Sequence, residues 1–133
     1  IMILMLPFEL NALLTMAVAL MLGLSIDAFS NTFGLHASSA LFVAYLRPTV
    51  MKYIRPKEGY DNTLLPSIQD MGAIWFLAYG AVMIFLHHLW FFTFEILRFD
   101  LFLLILGKSF LSFFFSLALI VLFQYIFYKP SKK

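Results

Sequence analysis

Along most of the chain apolar residues follow one another without the polar interval that a water-facing helix needs. Phe8 to Phe29 is the first such run, and as a helix it covers about 33 Å, enough to cross the roughly 30 Å of hydrocarbon in a bilayer. Leu35 to about Tyr53 is the second. Arg47-Pro48 lies near its end, where the residue before proline is biased away from helix and a kink or stop is expected. The third run extends from about Met71 to Phe94. The fourth, Leu101 to Tyr128, would make a helix of about 42 Å, more than a bilayer requires. Gly107-Lys108 is expected to divide it into a short interfacial piece and a span from about Ser109 to Tyr128. The pattern predicts an all-α, polytopic helical membrane protein, with residues 1–133 forming one transmembrane domain of four spans. The opening run, IMILML, is closed by Pro7 and reaches only about 9 Å. It is expected to be the end of a truncated span, since it shows neither the charged start nor the small-residue cleavage site of a signal peptide.

The polar stretches between the runs define the loops. RPKEGYDNTLLPS has the proline, glycine and acidic punctuation of a water-exposed connection, within a loop assigned to residues 47–70. FEILRFD sets Glu95 and Arg98 three residues apart on one helix face, as in a segment lying along the membrane surface. Residues 95–107 are therefore expected to form an outer interfacial segment. Arg47, Lys52, Arg55 and Lys57 fall in one loop and Lys129, Lys132 and Lys133 in the tail at 129–133, so seven of nine basic residues lie on sides that four crossings bring together. By the positive-inside rule that side is the cytoplasm. A cytoplasmic amino terminus would then require one more span before the truncated one, making six helices in the parent protein. No internal repeat is visible across the four spans, which weakens an inverted-repeat transporter reading.

Composition agrees with the pattern. Apolar residues make up 63% of the chain and charged residues 12%, about half the charged share of an average globular domain, so a water-facing surface could not be covered. The absence of cysteine removes disulfide and thiolate-metal chemistry. The net charge of +2 is small, and its placement carries more information than its size.

Candidate chemistry concentrates between the first two runs, in GLSIDAFSNTFGLHASSALFVAYL. Asp27 sits at the last turn of the first span with Gly23 one turn below it on the same face. Ser30, Asn31 and Thr32 can satisfy backbone groups freed where the helices end, and Gly34 permits a left-handed or very tight backbone. Ala37, Ser38, Ser39 and Ala40 form a small-residue stretch that allows close helix approach. Asp27 can fasten this helical hairpin or serve a ligand or proton, and its position near an interface favours the first role. His87 and His88 point about 100° apart on a helix, so one metal does not easily take both. Hydrogen-bonded histidines beside Trp90 are the simpler account. Ser109, Ser112 and Ser116 share a face of the last run and suit helix packing better than nucleophilic chemistry. Phosphate-cradling glycine loops and nucleic-acid-binding stripes are absent.

The order G-L-x-x-D-x-x-S-x-x-x-G-L, carried by Gly23, Asp27, Ser30, Gly34 and Leu35 and followed by Ala44, Tyr45, Leu46 and a basic loop, resembles the rod shape-determining protein MreD family. Six helices with both ends inside and a short basic tail agree with that family. The missing first part and the heavy phenylalanine content depart from it. The resemblance implies a non-enzymatic scaffold subunit of the bacterial cell-elongation complex in the inner membrane, with MreC, RodA and a wall-synthesis transpeptidase as partners and no cofactor. MreD proteins have also been likened to the substrate-binding subunits of energy-coupling-factor transporters. The alternative is thus a small-molecule-binding subunit with Asp27 and His36 in its pocket. Glu95, Arg98 and Asp100 offer a candidate outer surface to a periplasmic partner. Arg47, Lys52, Arg55 and Lys57 offer a cytoplasmic basic one, which lipid headgroups suit at least as well as a protein.

Overall fold

The computed structural model describes residues 2–57, 59–61, 64–97 and 99–127. Every regular element among them is helical. A 3-10 turn, Met2–Met5, precedes α1 (Ala12–Ser30), α2 (Leu35–Tyr53), α3 (Ile68–Met71), α4 (Ala73–Ile96) and α5 (Phe102–Phe127). Three helices, α1, α4 and α5, are long and apolar enough to cross a membrane, so this is a multi-pass membrane protein. The fourth expected span, α2, matches α1 in length at 19 residues. It carries His36, Arg47 and Lys52 and falls short of the same apolar measure. Tyr128 and the expected tail at 129–133 lie outside the described residues.

Local chemistry accounts for the helix ends. Asn11 caps α1, its side-chain oxygen accepting the Leu13 N–H at 3.0 Å. Asn31 closes the helix in the left-handed region at φ 55° and donates its N–H to the Asp27 carbonyl. Ser67 caps the one-turn α3 through the Asp70 N–H.

Neither of two expected interruptions ends its helix. α5 runs unbroken through Gly107 and Lys108 for 26 residues. A glycine inside a helix costs only about 1 kcal/mol, whereas opening the backbone in an apolar setting would strand several hydrogen-bonding groups. Lys108 is drawn back to α4, its Nζ 3.4 Å from Glu95 and 5.6 Å from the centre of the Phe92 ring. α2 likewise continues through Pro48 to Tyr53. The proline removes one intrahelical bond, but Val43, Ala44, Arg47 and Met51 are buried on either side and hold the helix in place.

α2 and α4 form the middle of the bundle, with α1 packed on α2 and α5 on α4. The buried positions of α1, Thr15, Ala19, Gly23 and Asp27, recur every fourth residue. They face a stripe on α2 that includes Ala37, Ala40, Ala44, Arg47 and Met51, spaced three and four apart. Gly23 sets the separation, because a Cβ there would stand 2.4 Å from the Ala37 Cα. The main apolar core joins Leu4, Val43, Met51, Phe76, Tyr79, Met83, Ile84 and Ile120. Where α2 ends and α4 begins, Phe8, Tyr60, Trp75 and Tyr79 stack or meet edge to face. Trp75 Nε1 donates to the Ile54 carbonyl and the Tyr60 hydroxyl to that of Met51. Gln124, fully buried on α5, accepts the Ile68 N–H at 3.1 Å and thereby ties the start of α3 to the far helix.

Candidate functional site

The hairpin between α1 and α2 gathers the residues singled out in the sequence. Its turn places Gly34 in the left-handed region at φ 87° as the N-cap of α2, with no side chain to offer the first free amides. Asp27 supplies the missing cap from the preceding helix. Its Oδ1 accepts the His36 N–H at 3.0 Å and its Oδ2 accepts the Ala37 N–H at 2.9 Å. The Thr32 hydroxyl donates to Oδ1 at 2.6 Å, and His36 Nδ1 lies 3.1 Å from the same oxygen, where a proton on that nitrogen completes a fourth bond. A carboxylate at the positive end of a helix is also favoured by the helix dipole. Asp27 thus caps the helix that Gly34 and Leu35 open, with Gly23 packed against Ala37 one turn below, while Ser30 is exposed and ends α1. The exposed rings of Phe29 and Phe33 flank the turn.

Behind the hairpin, between α1, α2, α4 and α5, lies a cavity of about 380 Å³, within the usual range for small-molecule sites. Its walls are largely apolar, with Leu22, Ile26, Val43, Met83, Leu119 and Ile120 contributing, and its polar groups are His36, His87, His88 and Ser116. His36 leans on the Phe91 ring as it reaches Asp27. His88 Nε2 and Ser116 Oγ are 2.9 Å apart and link α4 to α5. A serine beside a histidine is the first half of a nucleophile and base arrangement. The third group, which would orient the other ring nitrogen, is not among the described partners of His88, whose ring stacks at 6.1 Å on Phe92. Ser109 is buried and donates to the Ile105 carbonyl, so the serine face of α5 packs against its neighbour. Among the described residues no group of three His, Cys, Asp or Glu side chains could hold a metal ion.

The two candidate surfaces fare differently. Lys52 in the last turn of α2 and Arg55 and Lys57 just beyond it are exposed, but Arg47, expected beside them, is 3% exposed and packed in the bundle. It falls inward because it continues the three-and-four spacing of Ala37, Ala40 and Ala44. That spacing was the signal available in the sequence. Its Nε donates to the Tyr79 hydroxyl at 3.0 Å and its Nη2 to the Leu6 carbonyl, anchoring the chain before α1. On the other side Glu95 and Asp100 are exposed, Glu95 being paired with Lys108. Arg98 lies outside the described residues. Gln124 had no sequence signal, since an isolated amide in an apolar helix does not announce its partner. No protein-family model, curated protein or solved structure matches this chain.

Proposed function

We propose that the chain is a non-enzymatic scaffold subunit of the bacterial cell-elongation complex, in the manner that its resemblance to the MreD family implies. It crosses the inner membrane with α1, α2, α4 and α5, keeps the end of α2 and its carboxyl terminus in the cytoplasm, and works by contact with MreC, RodA and a transpeptidase. The observation that carries this reading is the state of Asp27. The one acidic residue of the motif is taken up by the chain's own donors, so the motif builds a rigid hairpin in place of a reactive group. Apolar faces remain for partners: Leu103, Leu111, Phe114 and Phe115 are all well exposed on α5 and suit lipid or another protein's transmembrane helix. Purification of the intact protein in mild detergent should recover MreC or the wall synthases. Charge reversal at Glu95 and Asp100 should weaken that recovery and round the cells at normal protein abundance. Normal rod shape and intact wall-synthase complexes in cells lacking the protein would overturn the reading.

The cavity favours a second reading, a small-molecule-binding subunit of an energy-coupling-factor type transporter. Substitution of His36 or Ser116 would then abolish uptake of one nutrient and leave cell shape alone, and the purified protein would carry an ATPase pair. Unchanged uptake in those variants excludes it.

A further inference from the structure

Arg47 is a buried cation whose protein partners are neutral oxygens, the Tyr79 hydroxyl and the carbonyls of Leu6 and Pro7. Among the described residues Asp27 is engaged by His36 and Glu95 by Lys108, and no carboxylate is recorded beside Arg47. Burying a guanidinium charge is costly until a counter-charge arrives. Among the described residues, none of its hydrogen bonds uses Nη1.

A second cavity, of about 220 Å³, adjoins this side chain between the start of α1 and the later half of α2, walled by Phe8, Ala12, Thr15, Ala44, Arg47 and Met51. Thr15 is 2% exposed, and its Oγ1 has no hydrogen-bond partner among the described residues. An orphaned hydroxyl at that depth needs a partner that the protein does not provide. Ala12 begins a 19-residue helix, whose positive end also favours an anion. A charged fork, a free hydroxyl and a helix amino terminus thus converge on one space.

We propose that this cavity is an anion site that takes a phosphate group, carried by a lipid headgroup or by a small soluble phosphate. Its oxygens accept from Arg47 and from the Thr15 hydroxyl together, neutralising the one and pairing the other. The site stands independently of both functional readings, because it lies apart from the Asp27 hairpin and from the larger cavity.

The test uses the full chain in neutral detergent, with thermal unfolding followed by size-exclusion chromatography. Potassium phosphate is titrated against potassium chloride at matched ionic strength, and short-chain phosphatidylglycerol against phosphatidylcholine of the same chain length. Thr15→Val keeps the side-chain shape and should fold without ligand as well as the parent. It should bind about tenfold more weakly, the effect of losing one hydrogen bond to a charged group, while Thr15→Ser should retain binding. Stabilisation by phosphatidylglycerol alone assigns the phosphate to a lipid headgroup, and stabilisation by potassium phosphate assigns it to a soluble compound. No stabilisation by either, equal stabilisation by phosphatidylcholine, or an undiminished response in Thr15→Val would overturn the site.

Discussion

Asp27 shows how one side chain can join two helices. An amide keeps both donor and acceptor capacity, so on side-chain chemistry alone Asn is expected to be a mild replacement. The geometry changes that expectation. His36 and Ala37 present two N–H groups to two different oxygens, and an amide can oppose only one of them with an acceptor. Asp27→Asn should cost about 1–2 kcal/mol and Asp27→Leu about twice that, read as an ordered fall in thermal midpoint in detergent. Asn and Leu variants as stable as the parent would show that the cap contributes nothing. The glycines of the same hairpin make a paired prediction. Gly23→Ala places a methyl group against the Ala37 backbone and should cost about 2–3 kcal/mol by forcing the helices apart. Gly34 has open space around it but a left-handed backbone, so Gly34→Ala should cost only about 1 kcal/mol. The reverse order would mean that backbone strain, not helix approach, governs the turn.

At the scale of elements, α5 departs furthest from its expected form. A glycine next to a lysine reads as a break when the sequence is the only guide, yet the backbone continues and the lysine finds Glu95 on α4. No atom lies near the position a Gly107 Cβ would take. Gly107→Ala should therefore raise stability by about 0.5–1 kcal/mol through better helix propensity and a less flexible unfolded chain. A loss of stability would mark a real break at that point. The same logic applies to Pro48, where neighbouring buried side chains on α2 override a local preference to stop.

For the whole molecule, orientation follows from charge. The positive-inside rule applied to the basic residues predicts that a reporter fused after Lys133 should behave as cytoplasmic and one inserted between Phe94 and Leu101 as external. The opposite labelling would reverse the proposed orientation and exchange the two candidate partner surfaces. The bundle also owes its order to polar links at its ends. Gln124 reaches the start of α3, and Arg47 holds the chain before α1. In an apolar solvent such links specify which helices meet, because apolar side chains gain little by choosing one another over lipid.

Runs of apolar residues were enough to place the long helices, since in a bilayer the backbone must satisfy itself and few alternatives to helix exist. The ends of α2 at Leu35 and Tyr53 and the pairing of Gly23 with Asp27 were also legible, because they depend on neighbours within one or two turns. Tertiary structure alone decided the rest. Whether Gly107 and Pro48 interrupt a helix depended on packing from other elements. That Arg47 faces the interior, that Thr15 stands unpaired beside it, and that three histidines from α2 and α4 border one cavity all depend on how separate helices are rotated toward one another. A sequence of nearly uniform hydrophobicity encodes that rotation only weakly, through a few small and polar positions whose partners lie far along the chain.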